Sequence, residues 1–235
     1  MRARKFAHAH ILPDAEAVTT RRTGLRERKK QVTREALREA ALRLALERGP
    51  DNVRVDDIAE AAGVSPRTYN NYFSSREEAI VAAISAERES RVAAAVAALP
   101  AGARLADGVI DAIVEQYTAP GEPGRDTLLL ITTSPALRNA FLNATAAIER
   151  PLADAINDRL DETDPYTARV LAASVAAAVH VALERWLQPA TTSPTAGDLV
   201  VPAGSLPDLL RTALAPLTPA LDAAEKRPPR DEQHR

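Results

Sequence analysis

Two side chains that can read DNA bases lie four residues apart in a short polar segment of the chain. Arg67 and Asn71 share one face of a helix at 100° per residue, and Thr68, Asn70 and Tyr72 flank them. Arginine can bond bidentately to guanine O6 and N7, and asparagine to adenine N6 and N7. Threonine and tyrosine hydroxyls suit phosphate oxygens. These residue types at this spacing predict a face that enters a DNA major groove.

Two short helices joined by a tight turn are expected to position this face. Residues 55–62 place their apolar side chains on one helical face, and Gly63 is suited to end that helix. Ser65 is a favourable N-cap, and Pro66 fits the first position of a second helix that we expect to span residues 66–73. The pattern predicts a helix-turn-helix, in which the second helix contacts bases.

The helix that follows these two begins with a recognisable cap. Ser75 and Glu78 have the spacing of a capping box. An ordinary helical corner with a solvated polar face is the alternative. It explains a single Arg or Asn, but it explains less well a short helix whose exposed face consists of hydrogen-bonding groups.

The segment from Thr33 to about Ile84 resembles the DNA-binding domain of the tetracycline-repressor (TetR) family of bacterial regulators. The resemblance is carried by VDDIAEAAGVS at residues 55–65, T-Y-x-x-Y-F at 68–73 and SREEA at 75–79. It implies a ligand-responsive dimeric regulator that binds double-stranded DNA. The DNA contacts that the pattern and the resemblance together indicate are made by Arg54, Ser65, Arg67, Thr68, Asn70, Asn71, Tyr72 and Arg76.

Three of these positions depart from the family pattern. Arg54 stands where the family often has a threonine that caps the second helix and touches a phosphate. Asn70 stands at a usually aromatic position, and Arg76 replaces the usual lysine. Arg54 is expected to contact phosphate but to cap poorly.

Composition bounds the class of protein. The 235 residues are 46% hydrophobic and 26% charged but only 3% aromatic, which is typical of a globular, alanine-rich helical chain. Because there is no cysteine, disulfides, thiolate metal sites and cysteine nucleophiles are excluded. The chain contains no glycine-rich phosphate loop, H-E-x-x-H or G-x-S-x-G motif. We therefore expect no enzyme activity, no cofactor and no metal site.

Charge is distributed unevenly along the chain. Residues 1–34 hold ten of the 30 lysines and arginines but only three of the 32 aspartates and glutamates. A basic front end on an acidic body fits a protein that meets phosphate at one end. For Arg21 to Arg34 we expect contact with the DNA backbone or minor groove. For residues 1–20, a solubilising role or a wrongly assigned start remains an equal alternative.

Two further observations concern location. No apolar run reaches the roughly 18 residues of a membrane helix. The N-terminal segment lacks the continuous apolar region of a signal peptide. We expect a cytoplasmic protein without a membrane partner.

The chain is predicted to be all-α with about nine helices: an N-terminal three-helix domain containing the helix-turn-helix, then a helical ligand-binding and dimerisation domain. We assign residues 1–24 to a basic, flexible arm, 25–75 to the DNA-binding domain, 76–217 to the effector-binding and dimerisation domain, and 218–235 to a loose tail. The first helix is expected from near Leu25 or Val32 to Glu47, and the fourth from Arg76 towards Leu99. Pro151 is expected to kink or split a helix that starts at Pro135.

The body offers a candidate interface. A helix at 165–187 is apolar on nearly every side beyond Val170, which is more apolar surface than a small domain buries easily. With the helix at 206–217 it is predicted to pair with its two-fold copy. The alternative is that both helices belong only to the core.

The body also offers a candidate cavity. Large side chains standing among small ones leave cavities, and the family carries an apolar effector pocket in this domain. The candidate lining residues are Tyr117, Phe141, Tyr166, His180 and Trp186. His180 with Glu184 has the spacing of a metal pair, but two ligands favour a buried histidine over a metal site.

The sequence therefore predicts a ligand-responsive transcriptional regulator, acting as a repressor, that binds a palindromic operator through the helix at 66–73. A small apolar effector is expected to release it. Two alternatives stay open: a ligand-independent dimeric DNA-binding protein, and a helical interaction module that does not bind DNA.

Overall fold

The structure is a computed structural model that describes residues 15–85, 88–118, 125–160, 165–188 and 204–226, with the side chains of 15–25 and 125 left aside. Within these ranges there is no strand, and twelve α-helical segments carry the chain. They are α1 (Ala15–Arg48), α2 (Val55–Ala61), α3 (Pro66–Tyr69), α4 (Arg76–Ser85), α5 (Arg88–Ala97), α6 (Leu105–Thr118), α7 (Arg125–Thr133), α8 (Pro135–Asn143), α9 (Glu149–Arg159), α10 (Pro165–Leu187), α11 (Leu206–Leu214) and α12 (Thr218–Glu225).

The all-α fold is confirmed, and so is the approximate number of helices. Nine helical runs result when segments joined by a 3₁₀ turn, or separated only by residues 86–87, are counted together. The 3₁₀ turns join α8 to α9 through Ala144–Ile148 and α11 to α12 through Ala215–Leu217.

Helix α1 is longer than the sequence predicted. It begins at Ala15, ten residues before the earliest expected start at Leu25, so the last ten residues of the segment assigned to a flexible arm are helical. Residues 1–14 lie outside the described part of the chain. Further along α1, Leu37, Ala41 and Leu44 are buried, and this stripe packs on α2 and α4. The helix is thereby tied to the core of the DNA-binding unit.

The turn between α2 and α3 follows the prediction, but α3 is shorter. Gly63 has φ +68°, the left-handed conformation that favours glycine after a helix. Helix α3 ends at Tyr69 instead of residue 73, and residues 70–72 form a turn. In that turn, the N–H groups of Asn71 and Tyr72 donate to carbonyls three residues back. The end of α3 is therefore a tightened 3₁₀-like turn.

The body packs around the two helices α5 and α10. Helix α10 packs on α9 and α11, and α5 packs on α6 and α9. Helix α4 packs on α1 of the DNA-binding unit and on α8 of the body. Helix α4 therefore connects α8 with the unit that carries α3.

The predicted break near Pro151 is present, just before the proline. The 3₁₀ turn Ala144–Ile148 separates α8 from α9, and Pro151 lies in the first turn of α9. Proline lacks an N–H and collides with the carbonyl four residues earlier, which here belongs to Ala147. The position of this proline was therefore enough to predict the break from the sequence.

The C-terminal prediction needs a correction, because residues 218–225 form α12 instead of a loose tail. Leu221 and Ala224 are buried on one side of the helix. Asp222 accepts a hydrogen bond from Arg104 at 2.7 Å, and Glu225 accepts one from the N–H of Leu105 at 3.1 Å. These tertiary contacts stabilise as a helix a segment for which the proline and charge content predicted disorder. Residues 227–235 lie outside the described ranges.

One helix differs from the expectation that no segment could cross a membrane. Helix α10, with 23 residues, is long and apolar enough by length and composition, and 44% of its most apolar window is buried. Its buried side includes Leu171, Val175 and Val179. A core helix meets the same length and composition test, and α10 packs as one.

Candidate nucleic-acid interface and body cavity

The predicted base-reading residues lie at the surface of the helix-turn-helix. Ser65, Arg67, Asn70 and Asn71 are exposed. Thr68 and Tyr72 are half-buried, and Arg54 is exposed at the start of α2. Pro66, at the first position of α3, is also exposed. The structure therefore leaves the hydrogen-bonding groups of this face open to a partner.

Ser65 fixes the start of α3. Its Oγ accepts a hydrogen bond from the N–H of Thr68 at 3.1 Å and lies 2.9 Å from the Thr68 Oγ1. An N-cap of this kind satisfies a helical N–H that otherwise lacks a partner. The cap therefore holds Arg67, which lies between the two residues, in a defined orientation.

Tyr69 anchors α3 to the beginning of α4. Its ring is fully buried, with its centroid 5.8 Å from that of Phe73. Its hydroxyl donates to the carbonyl of Ser75 at 2.7 Å. Burial, with smaller contributions from Glu78 and Glu77, raises the pKa of Tyr69 well above its usual value. The tyrosine therefore stays neutral and acts as a hydrogen-bond donor.

Arg76, for which the sequence predicted a DNA contact, makes several contacts within the protein. Its Nη1 donates to the carbonyls of Asp51 at 3.0 Å and Val53 at 2.9 Å. Its Nε donates to Glu77 at 2.7 Å, and its Nη2 lies 3.5 Å from the Asp51 carboxylate. Burial acts to raise the pKa of Glu77, but the hydrogen bond and charge of Arg76 help to lower it overall. The guanidinium joins the start of α4 to the segment that leads into α2.

The caps of α2 and α4 are formed partly by other groups than predicted. The N–H of Arg54 donates to the Asp57 carboxylate at 3.1 Å, so the acid in the first turn caps α2. The Glu78 N–H donates to the Ser75 Oγ at 3.1 Å, as a capping box requires. The Glu78 carboxylate, however, accepts from the N–H of Ser74 at 2.7 Å instead of from Ser75.

The basic segment on α1 divides into two parts. Arg26, Arg28, Lys29 and Lys30 are exposed, as a phosphate-binding surface requires. Arg34 is half-buried, and its guanidinium lies 5.1 Å from the Phe73 ring centroid. Arg34 is therefore directed towards Phe73, and the DNA contact expected of it stays a prediction.

Two adjoining cavities lie between the DNA-binding unit and the body. The outer groove has a volume of about 470 Å³ and is lined by Arg34, Arg38, Ser74, Ser75, Glu78, Val81, Ala82, Ser85, Glu89, Ala140, Asn143, Ala144 and Ala147. The inner chamber is about 10 Å³ and is lined by Ser85, Arg88, Glu89, Tyr117, Phe141, Ala144, Thr145, Ile148 and Leu183. Because they share Ser85, Glu89 and Ala144, the chamber opens directly behind the groove.

Arg88 is a buried cation in the inner chamber. It is only 3% exposed, and its guanidinium carbon lies 4.5 Å from the Tyr117 ring centroid and 5.8 Å from that of Phe141. Its Nε has no hydrogen-bond partner, and no carboxylate of the described side chains forms an ion pair with it. A desolvated cation–π contact contributes about 2 kcal/mol, whereas burying an ion costs several times that in many sites. The side chain of Tyr117 also shares a hydrogen bond with Arg88, whereas the Arg88 Nε has no partner.

The predicted cavity residues divide in the same way. Tyr117 and Phe141 line the inner chamber. Tyr166, His180 and Trp186 line neither the groove nor the chamber. Tyr166 is 74% exposed on α10, the His180 Nδ1 lies 3.0 Å from the Leu142 carbonyl, and Trp186 is half-buried against the core. These three predictions are corrected, because Leu183 is the residue of α10 that lines the chamber.

Arg88 itself was not among the predicted residues. It lies on the face of α5 that contains the buried Val92 and Val96, at the spacing of one helical stripe. A charged residue on an otherwise buried stripe is the signal that could have identified it. For metals, the described side chains contain no group of three candidate ligands.

Comparisons with known proteins agree with this geometry. Residues 37–83 match the family described as bacterial regulatory proteins, tetR family, and residues 99–222 match the family of the MftR C-terminal domain. The HTH-type transcriptional regulator TcmR of Streptomyces glaucescens is 32% identical over 216 residues, which cover 87% of this chain and 91% of TcmR.

Two solved structures are also similar. FadR of Thermus thermophilus, a TetR-family repressor in complex with lauroyl-CoA, is 20% identical, with 79% of this chain and 92% of FadR covered and a TM-score of 0.45. A TetR-family regulator from Rhodococcus sp. is 22% identical, with 81% of this chain and 99% of that chain covered and a TM-score of 0.42.

Proposed function

Because this chain belongs to the TetR family of ligand-responsive transcriptional regulators, which are soluble and generally not enzymes, we propose that it is a cytoplasmic repressor that binds an operator through α3. The observation that carries this proposal is the exposed pair Arg67 and Asn71 on a helix fixed by the Ser65 cap and the Tyr69 anchor. Arg54, Ser65, Thr68, Asn70 and Tyr72 are the proposed accompanying contacts.

The proposed active form is a homodimer that pairs through α10 and α11. Helix α10 exposes large apolar side chains along one face, namely Tyr166 at 74%, Val170 at 64% and Val181 at 58%. An exposed apolar stripe of this kind fits a self-complementary two-fold interface. Val170→Asp should shift the protein from dimer to monomer in sedimentation velocity. Asp154→Asn, at an exposed site on α9, is the matched control. A dimer that survives both Val170→Asp and Val181→Asp would exclude this interface.

A two-fold dimer requires a palindromic operator. Selection from random duplexes with the full-length protein should enrich an inverted repeat whose half-site centres lie about one helical turn apart. Enrichment of no sequence, together with binding insensitive to salt, would favour the helical interaction module instead.

The proposed release of DNA depends on the contact of α4 with both parts of the protein. The outer groove is lined from α1 and α4 on one side and from α8 and the turn that follows on the other. A small molecule held there acts on α4 and α8 together, and its preference for one arrangement shifts the population of the DNA-binding form. The ligand-independent alternative predicts that no bound small molecule changes operator affinity.

A further inference from the structure

We propose that the effector of this protein carries a carboxylate on an apolar body, and that Arg88 recognises that carboxylate. This inference rests on the proposed function, because it names the chemical class of the small molecule that acts through the groove. Arg88 lines the inner chamber, is 3% exposed and has an Nε without a partner.

The chemistry of Arg88 selects an acid. Guanidinium groups pair with carboxylates through parallel, charge-assisted hydrogen bonds that match the planar geometry of both groups. The rings of Tyr117 and Phe141 contact the guanidinium and compensate only part of the loss of hydration. A ligand carboxylate supplies an ion-pair partner for Arg88 and an acceptor for its Nε, which has none in the protein.

The surrounding charges agree with an anion. Arg34, Arg38 and Arg88 lie along the groove and chamber, against Glu78 and Glu89. The Nε of Arg38 also lacks a hydrogen-bond partner. Burial raises the pKa of Glu89 despite the opposing charges of Arg88, Arg38 and Arg34, so this acid lies close to all three arginines. The balance of charge along the route is therefore positive.

The two cavities divide the ligand into a head and a body. The chamber has room for no more than about one water molecule, so only the tip of a small polar group reaches Arg88, past the 6%-exposed Ser85. The groove, at about 470 Å³, has the volume of a small-molecule site. Its wall of Val81, Ala82, Ala140, Ala144 and Ala147 is apolar and small, which fits a ring system or an acyl chain.

Calorimetric titration of the full-length protein with matched pairs of probes tests this directly. The pairs are 2-naphthoate with 2-naphthamide, and decanoate with decanamide, which differ in charge but hardly in size. In at least one pair, the wild-type protein should bind the acid about 10–100-fold more tightly than the amide, as expected for a charge-assisted hydrogen bond. Arg88→Met should abolish this preference, Arg88→Lys should keep part of it, and Arg150→Met, at an exposed site on α9, should leave it unchanged.

The wild-type comparison needs no variant, so misfolding of Arg88→Met does not remove the test. Equal binding of acid and amide, a preference that survives Arg88→Met, or no binding of either acid at millimolar concentration would each overturn the assignment. Operator affinity measured with the same probes separates this proposal from the proposed function. An Arg88-dependent acid that leaves operator affinity unchanged supports the site and refutes effector control. An amide that releases DNA supports effector control and refutes the carboxylate assignment.

Discussion

Arg76 provides a sharp test of how the DNA-binding unit is assembled. Its guanidinium donates to the carbonyls of Asp51 and Val53 and contacts two acids, although 28% of the side chain is exposed. Hydrogen bonds to a charged group contribute about 1.5–3 kcal/mol each, and partial exposure favours the lower end. Arg76→Ala is therefore expected to lower the free energy of unfolding by about 2–3 kcal/mol. For a chain of this size that is a drop in Tm of about 4–12 °C.

The assay is thermal unfolding followed by circular dichroism, with Arg67→Ala as the matched control. Arg67 is exposed on α3, so its removal should change stability by no more than about 0.5 kcal/mol. Operator binding is then measured over a range of salt concentrations. Arg76→Ala should leave the slope of log K against log salt unchanged, because the arginine neutralises no phosphate.

The opposite pattern would refute the structural role of Arg76. If Arg76→Ala kept the wild-type Tm but reduced the salt slope by about one, the arginine would be a phosphate contact, as the sequence resemblance implied.

Three further changes have expected outcomes. Tyr69→Phe should lower the free energy of unfolding by about 1–2 kcal/mol in urea titrations, because the Ser75 carbonyl loses its donor; unchanged stability would disprove the anchor. Glu89 has a pKa raised mainly by burial, so the folded protein holds its proton to higher pH than the unfolded chain and stability should fall as pH rises through the folded-state pKa. Glu89→Gln should flatten that fall in pH-dependent unfolding, and a parallel curve would contradict the assignment. Gly63→Ala should cost about 1 kcal/mol in the same urea assay because φ is +68°, although the added methyl meets no atom; a neutral effect would exclude strain there.

Local signals were enough to predict the helix-turn-helix. Gly63 and the Ser65–Pro66 pair act through hydrogen bonds and backbone angles within a few residues, and the structure places each as expected. The capping acid Glu78 was found by the same reasoning, although its carboxylate bonds Ser74. Features that depend on contacts within a few residues could therefore be predicted from the sequence.

Long-range contacts were not predictable in the same way. Arg76 donates hydrogen bonds to carbonyls 23 and 25 residues earlier in the chain. No local pattern indicates whether its guanidinium contacts the protein or a phosphate. Helix α12 depends on Arg104, more than a hundred residues away. Sequence reasoning therefore missed the internal contacts of Arg76 and the helix α12, because the deciding partners lie elsewhere in the chain.

The cavity shows a related limit. Tyr117 and Phe141 were found because large side chains are scarce in this body. Tyr166 and Trp186 were misplaced because a helix that is apolar on nearly every side does not indicate which side faces the cavity. Arg88 was not predicted, because it lies inside a long helical segment. Its spacing of four residues from Val92, and of eight from Val96, nevertheless places it on the buried face of that helix.

The central proposal is that the exposed face of α3 reads bases. The most direct measurement is a set of anisotropy titrations of a selected operator, with each base pair replaced in turn, using the wild-type protein and Arg67→Ala. We expect the wild-type protein to lose about 1–3 kcal/mol at a symmetric pair of positions and Arg67→Ala to lose this discrimination there while keeping it elsewhere. An identical base profile for the two proteins would contradict the assignment of this face to DNA.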